Sequence, residues 1–475
     1  MLKQADPGAE FDVTINTVRD FLLRATCEVA WQSPLSNWSN PSYFATGVYF
    51  KELAPTHQTR FRDHLNHALA SSLEAPLEIP AVSEKDLDAL FKKLRKLYDR
   101  NSVFQKADLL SQKLGISLKH IKGCTYDTHY LRGNVENPIG IAQIPLGIAG
   151  PLLIKGKHAS GEFWVPMATT EGAMVLTYDL GMRLLRLGEP VKTEVISKVV
   201  HLDPMFLIKT DEDVRVSKFI KDNYEEIKRV AECDSSHTTL LKIEPHTVKN
   251  NLVLKFMYDT ADAHGLNMIN HATFNACKYI ESKTGASFYH RSHYSGVKHY
   301  SPLNEEKGYG RVVKASSVIS EKALSLLHVT AKEVKEFCDR CIECGGAAGI
   351  RSVNVHAANA IAAIFLACGQ DAADISSAHA CKGRAEVVGE GKDLYWECML
   401  WNLLVGTVGG GTHLGTQSEC LSMLGCLGSG KSDKFAEIIA ATVLAGEFTT
   451  AASIVNRTYV ETHDKYGRNK KKHVP

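Results

Sequence analysis

An excess of charge of one sign is missing from this sequence. Its 55 Lys and Arg against 53 Asp and Glu leave a formal net charge of +2, which excludes the strong basic field of a nucleic-acid-binding protein. Long hydrophobic runs are also missing, because no run approaches the ~18 apolar residues that span a membrane. The N-terminal stretch MLKQADPGAEFD is acidic and polar, unlike a signal peptide. We therefore expect a soluble, cytoplasmic protein with no membrane or nucleic-acid partner.

The cysteine content does not indicate a disulfide framework. Twelve cysteines in 475 residues suit a protein in a reducing compartment, where they stay thiols. The stretch CDRCIEC places Cys338, Cys341 and Cys344 at two-residue gaps, as in iron–sulfur sites, but the expected fourth ligand would be Ala348. Free thiols are the preferred interpretation, and we expect no metal; a metal site at these cysteines is the alternative.

One motif suggests nucleotide binding but lacks its structural context. GCLGSGKS, from Gly425 to Ser432, satisfies the pattern of a phosphate-binding loop. That loop needs a buried strand before it and a helix N-terminus after it. The preceding TQSECLSMLG has helical spacing and no β-branched run. We expect a loop between two helices, with Ser432 or Asp433 capping the second; a P-loop nucleotide hydrolase is the alternative.

The length corresponds to roughly two or three domains of about 100–200 residues each. Residues 1–82 form an extension of unknown role, of which the first 80 are interpreted as mixed helix and loop. From Ser83, a plausible N-cap, to Leu114, apolar residues recur at helical spacing. Residues 195–260 combine strand-like runs (EVISKVVHL, NLVLKFMYD) with a charged helix. The C-terminal third, rich in Ala and Gly, predicts largely buried helices.

Four segments together point to one chemistry. Glu171 lies among small and apolar residues in PMATTEGAM, although Glu is rarely buried without a partner. The others are DAHGLNM from Asp262, ACGQDAAD with Asp371, and GTVGGGT from Gly406. With PLGIAGPL and NVHAANA they occur in the order found in the hydroxymethylglutaryl-CoA reductase family. From about Ser83 to Asn469 the chain resembles the eukaryotic and archaeal-type branch of that family, as a divergent member.

The resemblance implies an α/β (α+β) fold with an N-terminal helical domain at residues 83–135. A large α/β domain around a central helix, residues 136–202 and 290–475, would carry the substrate and the catalytic groups. A small ferredoxin-like domain, residues 203–289, would be inserted into it and bind NAD(P). The family's sites form between subunits, so the resemblance also implies a homodimer or homotetramer.

The resemblance assigns site residues motif by motif. The implied catalytic residues are Glu171, Lys298, Asp371 and His463. For NADPH or NADH the implied binding residues are Asp262, Gly265, Leu266, Asn267, Met268, Val408, Gly409, Gly410 and Ser235. For the substrate they are His356, Asn359 and Arg468.

Thioester reduction explains why these residue types are needed. Two hydrides convert a thioester to an alcohol through a hemithioacetal and an aldehyde, and each leaves negative charge on the carbonyl oxygen. The Lys298 ammonium would stabilise that charge by about 3–4 kcal/mol if it acts like one oxyanion donor. Glu171, desolvated among small residues, would share a proton with Asp371, which also orients Lys298. His463 would protonate the departing thiolate.

The sequence departs from the family where the ligands are recognised. The family binds the substrate's free carboxylate with cationic residues and a serine around the catalytic lysine. Here the serine position is Arg291, the residue before Lys298 is Val297, and the residue after it is His299. A further family arginine aligns with Leu202, which cannot replace a bidentate guanidinium. We therefore expect a thioester that differs from the usual one.

Two points in the assignment of the ligands stay open. Arg291 and Arg340 could rebuild the carboxylate site from other directions, which keeps the usual substrate possible and makes Arg291 a candidate substrate-binding residue. The arginine that meets the 2′-phosphate of NADPH is missing from the aligned Ser235-Ser236-His237, so either nicotinamide cofactor is expected.

Two functional hypotheses follow. The first is NAD(P)H-dependent reduction of an acyl thioester, carried by CoA or a carrier protein, in a mevalonate-like pathway, with hydroxymethylglutaryl-CoA as the default substrate. The second is a diverged, non-catalytic homologue that keeps the fold and binds a nucleotide or an acyl ligand. The presence of four chemically demanding residues favours the first hypothesis.

Overall fold

The structure is a computed structural model. It describes residues 10–16, 22–34, 44–52, 90, 93–94, 96–114, 118, 121–123, 125, 127–209 and 212–466. The chain divides into two compact units, Met1–Leu94 with Phe104–Gly123, and Arg95–Val103 with Cys124–Pro475. The boundaries at residues 82, 135, 202 and 289 stay predictions.

The first unit contains a three-stranded antiparallel sheet of β1 (Glu10–Asn16), β2 (Leu22–Pro34) and β3 (Phe44–Glu52), in that order. The interpretation of this stretch as mixed helix and loop is therefore wrong for residues 10–16, 22–34 and 44–52, and the rest of the first 80 residues lies outside the described part of the chain. EFDVTIN alternates apolar and polar residues, a period-2 signal for a strand. Helix α1 (Arg100–Leu114) confirms helix in the Ser83–Leu114 stretch, and Ser83 itself lies outside the described residues.

The second unit is built on one ten-stranded sheet. Its strands are β4 (Leu146–Gly156), β5 (Ser160–Ala168), β6 (Val191–Leu202), β7 (Met205–Leu207), β8 (Thr239–Val248), β9 (Asn251–Asp259), β10 (Phe288–Tyr289), β11 (Gly310–Ile319), β12 (Cys381–Val388) and β13 (Asp393–Leu403). The main path runs β10–β7–β9–β6–β11–β13–β12, with β4 paired to β5 and β6, and β8 paired to β9.

Helices cover this sheet. They are α2 (Met174–Leu185), α3 (Glu212–Asp222), α4 (Tyr224–Glu232), α5 (Leu266–Thr284), α6 (Pro302–Lys307), α7 (Glu321–Leu326), α8 (Ala331–Ala347), α9 (Ala357–Ala367), α10 (Ile375–Ala378), α11 (Gly415–Met423), α12 (Ser432–Val455) and α13 (Tyr459–Tyr466). The mixture of sheet and helices confirms the α/β fold class. Cys338, Cys341 and Cys344 lie on α8 as free thiols.

A ferredoxin-like part lies between β6 and β11 in the sequence. Its elements follow the order β7–α3–α4–β8–β9–α5–β10, and its antiparallel strands are arranged β10–β7–β9–β8, as in a split βαβ fold. It has its own core, in which Leu254 and Phe256 of β9 and Ile269 and Ile280 of α5 are fully buried. Strand β6 joins this part to the rest, because residues 192–199 pair with β11 and residues 200–202 pair with β9.

Helix α12 is the central helix that the resemblance implied. It is apolar on all sides, which is typical of a helix surrounded by protein. By length and composition it could cross a membrane, but 83% of its apolar window is buried inside the protein. A Cβ at Gly446 would lie 2.0 Å from Cε1 of Tyr178 on α2, so only glycine allows this close helix contact.

Helix α12 also carries a buried carboxylate that fixes the start of α9. The two oxygens of Glu447 accept the N–H groups of Val355 at 2.6 Å and His356 at 2.7 Å. Burial raises the pKa of the Glu447 carboxyl from 4.5 to about 7, although these two hydrogen bonds act in the opposite direction.

Substitution Glu447→Gln should therefore change the pH dependence of stability. The folded pKa is raised above the unfolded value, so the unfolded chain loses a proton between pH 4.5 and 7 that the folded protein keeps. The wild-type free energy of unfolding decreases as the pH rises through that window. Gln cannot ionise, so the variant should gain about 1–3 kcal/mol relative to wild type between pH 5 and pH 8, measured by urea denaturation. An equal difference at both pH values would contradict the raised pKa.

Candidate active site

The second unit contains a cleft with a volume of about 920 Å³. Most of its lining comes from four segments, residues 263–270, 291–299, 369–371 and 406–417. The first segment follows β9 and the last follows β13. They lie side by side, because Ala263 and Val408 form a parallel bridge and the Thr407 N–H donates to the Asp262 carbonyl at 2.9 Å.

An ion pair lies in this cleft. The Nζ atom of Lys298 is 2.6 Å from Oδ2 of Asp371, while Asp371 Oδ1 accepts the N–H of Ala373 at 3.0 Å. Burial alone would raise the pKa of Asp371, but the hydrogen bonds from Lys298 and Ala373 outweigh it and hold that pKa below 3.8. Asp371 is therefore ionised at neutral pH, and it orients the ammonium. Lys298 has φ +58°, a conformation of non-glycine residues that clusters at functional sites.

Seven of the nine predicted cofactor residues line the cleft. Gly265 precedes α5 with φ +88° and leads into Leu266, Asn267 and Met268 in its first turn. The N-terminus of a helix offers free N–H groups and a partial positive charge to phosphate. Val408, Gly409 and Gly410 form another part of the lining. A Cβ added at Gly409 or Gly410 would have no atom within 4 Å, so the backbone there is open to close approach.

Asp262 does not line the cleft. Its carboxylate instead accepts hydrogen bonds from the P-loop-like segment, Gly425 to Ser432. Its carboxylate accepts the N–H groups of Gly430, Lys431 and Ser432 at 2.7, 3.1 and 3.1 Å, and the Ser432 hydroxyl at 2.6 Å. Burial raises the pKa of Asp262, yet these bonds lower it overall. The segment joins helices α11 and α12, as expected, so the P-loop hydrolase alternative is wrong. Asp262, rather than Ser432 or Asp433, caps α12.

Ser235 also lies outside the cleft lining. It follows α4 on a loop, where its hydroxyl donates to Thr238 Oγ1 at 3.1 Å and accepts the His237 N–H at 3.3 Å. His237 is exposed on the same loop.

Glu171 does not line the cleft that contains the Lys298–Asp371 pair. It occupies the turn between β5 and α2, where its N–H donates to Thr169 Oγ1 at 3.0 Å. Its side chain is exposed, so the expectation that its neighbours desolvate it is wrong for the single chain, because small side chains cannot cover a glutamate. Among the described residues, no hydrogen bond or ion pair joins Glu171 to Lys298 or Asp371.

A second group of side chains, Tyr178, His356 and Thr450, is joined by hydrogen bonds. The Tyr178 hydroxyl lies 3.0 Å from His356 Nδ1, and His356 Nε2 lies 2.5 Å from the Thr450 hydroxyl. Burial, with the Glu447 and Glu171 carboxylates, raises the pKa of Tyr178 well above 10. Burial, with a smaller effect from His463, lowers the pKa of His356. Glu171, His356 and His463 therefore belong to one neighbourhood.

The remaining predicted substrate residues differ in position. Asn359 lies in the first turn of α9, and its N–H donates to the His356 carbonyl at 3.0 Å. On α13, His463 Nδ1 bonds to the Tyr459 carbonyl at 2.9 Å. Arg468 lies outside the described residues.

Four residues line the cleft that stand at positions where the family binds the substrate's carboxylate. They are Leu202, Arg291, Val297 and His299. The Arg291 guanidinium donates to Asn270 Oδ1 at 3.0 Å. Arg340, the other candidate, pairs with Glu336 at 2.8 Å on α8 and is not part of the lining.

Sequence reasoning missed two residues beside the ion pair. His264 lines the cleft, and its Nε2 atom lies 2.5 Å from Oδ2 of the buried Asp374. Both stand inside motifs that had been recognised, DAHGLNM and ACGQDAAD. The sequence did contain a signal for them, because an imidazole and a second carboxylate stand inside these two motifs.

Comparison with known proteins identifies relatives over most of the chain. The family model described as hydroxymethylglutaryl-coenzyme A reductase matches residues 102–468. The 3-hydroxy-3-methylglutaryl-coenzyme A reductase of Methanocaldococcus jannaschii is 39% identical over 370 residues, covering 76% of this chain and 91% of that protein. The protein of the same name from Pyrococcus abyssi is 37% identical over 374 residues, with the same two coverages.

A solved structure shares the fold. The class II 3-hydroxy-3-methylglutaryl-CoA reductase from Streptococcus pneumoniae, bound to NADPH in open conformations, superposes with a TM-score of 0.58 at 19% identity. The match covers 74% of this chain and 86% of that chain. At this identity the likeness concerns the fold alone. On the family model and the archaeal relatives, the chain belongs to the hydroxymethylglutaryl-coenzyme A reductase family.

Proposed function

We propose that this protein reduces an acyl thioester to an alcohol with a nicotinamide cofactor, and that hydroxymethylglutaryl-CoA is the default substrate. The observation that carries the proposal is the 2.6 Å pair of Lys298 and Asp371 in a cleft that also exposes the start of α5 and the glycines at 409 and 410. One cleft thus offers a fixed ammonium and a backbone surface for phosphate. Family membership supports the same reaction.

The residues present fit a nicotinamide dinucleotide. The N–H groups at the start of α5 and the open backbone at Gly409 and Gly410 would hold its phosphates, and the bound cofactor supplies hydride. Residues 203–289 would serve as the cofactor domain. NADPH and NADH both remain candidates, since Ser235-Ser236-His237 contains no arginine.

The catalytic roles follow from charge. The Lys298 ammonium faces negative charge that develops on the carbonyl oxygen, and the Asp371 carboxylate holds that ammonium in place. His463 would protonate the thiolate after the carbon–sulfur bond breaks.

The Glu171 half of the site would come from a second subunit. In support, Glu171 is exposed and makes no contact with the ion pair within the described chain. A partner's cleft would desolvate it and place its carboxyl beside Asp371, which would favour a shared proton. This makes the protein a homo-oligomer with two residue sets in each site. A cytoplasmic location belongs to the same proposal.

The substrate-recognition side of the cleft favours a changed acyl group. Leu202 and Val297 present apolar surface, while Arg291 and His299 present polar groups. Arg291 would bind an acidic acyl chain, whereas an uncharged chain would lie against the two apolar residues. The acyl carrier is CoA or a carrier protein.

Substitution Lys298→Met should lower kcat by about 10²–10³-fold, because it removes the charge that stabilises the oxyanion. Oxidation of NADPH and NADH would be followed at 340 nm against a panel of acyl thioesters. The exposed Lys307 on α6, outside the cleft, provides the control Lys307→Met, which should keep wild-type rates. Equal rates in both variants would rule out Lys298 as the electrophilic group.

Subunit mixing tests the two-subunit site. Glu171→Gln and Lys298→Met should each be nearly inactive alone. If each site combines Glu171 of one subunit with Lys298 of the other, a hybrid dimer has one intact site, and random mixing should recover roughly a quarter of the wild-type rate. A mixture that stays inactive, although tagged subunits show that hybrids form, would place both residues in the same chain's site.

Substitution Ser236→Arg tests where the 2′-phosphate lies, because the family's missing arginine aligns with this position. A guanidinium–phosphate contact is worth about 1.5–3 kcal/mol, so the KM for NADPH should decrease roughly tenfold or more. The KM for NADH serves as the internal control, because NADH lacks this phosphate. A parallel change for both cofactors would show that residue 236 does not meet the 2′-phosphate.

A further inference from the structure

The His264–Asp374 pair is the feature that the proposed roles leave unused. Asp374 is 0% exposed, and its Oδ2 atom lies 2.5 Å from Nε2 of His264. The other carboxylate oxygen, Oδ1, is buried without a hydrogen-bond partner. Among the residues that the structure describes, His264 is the only hydrogen-bond partner of this side chain.

A buried carboxylate with one partner needs a positive charge or a proton from that partner. Removing an ion from water costs several kcal/mol unless a counter-charge meets it. The buried Tyr309 hydroxyl is close enough for the Asp374 charge to affect its pKa. It cannot supply a positive charge to Asp374. Burial, with Asp374 and Asp203, raises the pKa of Tyr309 well above 10, so it stays a neutral phenol. Among the described residues, His264 is therefore the group that links this carboxylate to the cleft.

The His264 end of the pair faces the cleft. The His264 side chain is 25% exposed, and the residue lines the cleft. One ring nitrogen of His264 and one oxygen each of Asp371 and Asp374 lie within 4.8 Å of one another. One water can bridge such a gap. The Lys298 ammonium already occupies Asp371 Oδ2 at 2.6 Å, so the three groups are arranged for proton transfer around a cation.

The proposed reaction consumes protons at this place. In each reduction the carbonyl carbon accepts a hydride, the electrons of the carbon–oxygen π bond move to oxygen, and that oxygen takes a proton. For the whole conversion, one thioester, two NAD(P)H and two protons give one alcohol, one thiol and two NAD(P)⁺. If the Lys298 ammonium gives its proton to the oxygen, it is left as a neutral amine and must regain a proton before the next hydride.

We infer that His264, held by Asp374, is the proton donor that recharges the Lys298–Asp371 pair. The imidazolium passes its proton through Asp371, directly or by one water, to the Lys298 amine. The neutral imidazole then takes up one of the two protons of the overall reaction from bulk solvent through the cleft, and the Asp374 carboxylate stabilises the cation that forms. This role deepens the proposed function and rests on it.

The experiment compares His264→Gln and Asp374→Asn with wild-type full-length protein. Both variants should lower kcat about 10²-fold, the usual contribution of a positioned acid, while the KM for NADPH changes less than about threefold. The solvent deuterium isotope effect on kcat should increase, because proton delivery becomes slower than hydride transfer. Added imidazole should restore part of the rate to His264→Ala. The exposed His158, outside the cleft, gives the control His158→Gln, with wild-type behaviour expected.

Three results would overturn the inference. A higher KM for NADPH with unchanged kcat and isotope effect would mean that His264 only shapes the cofactor cleft. Loss of wild-type activity with a chelator, reversed by a divalent cation, would make the three groups metal ligands. Wild-type-like kinetics in both variants would remove the proton role but leave the proposed function intact. A wild-type protein that oxidises neither cofactor with any thioester would instead end the proposed function and this role together.

Discussion

A carboxylate that leaves water must meet N–H donors, and this requirement organises the second unit. On α12, Glu437 accepts the N–H groups of His158 and Ala159, and Glu447 accepts those at the start of α9. Asp262 accepts three N–H groups where α12 begins. Each bond joins the central helix, or its first turn, to a segment distant in sequence. Of these three, Asp262 lies next to the cleft-lining segment that begins at Ala263 and ties it to the start of α12.

The same requirement separates the site into two halves with different chemistry. In the cleft, Asp371 has its counter-charge in Lys298 and remains ionised. Around Tyr178, burial lowers the pKa of His356 and raises that of Glu447 to about 7, which shifts both groups toward their neutral forms. In the proposed reaction, the charged half would stabilise the oxyanion and the other half would supply its proton. Their separation within one chain explains why a second subunit enters the proposed function.

Much of the fold could be predicted from the sequence, because local patterns carry it. The apolar run of α12 predicted a buried helix, and the strand-like runs at β6 and β9 predicted strands. The sheet at β1 to β3 was missed although EFDVTIN in β1 alternates apolar and polar residues, because this period of two was not recognised as a strand signal. In the site, motif order identified Lys298 and Asp371, but it gave no indication that Asp262 turns away from the cleft toward residues 430–432. Which groups meet across more than 100 residues depends on packing that no local pattern encodes.

Strand β6 is continuous across the ferredoxin-like part and the main sheet, pairing with β11 along most of its length and with β9 at its end. The cleft-lining segment after β9 is thus attached through a hydrogen-bonded ladder rather than through a flexible linker. Rotation of the ferredoxin-like part would have to be absorbed as torsion along β6, with its elastic cost spread over the neighbouring strands. Any opening of the cleft by such a rotation therefore has to twist the sheet itself.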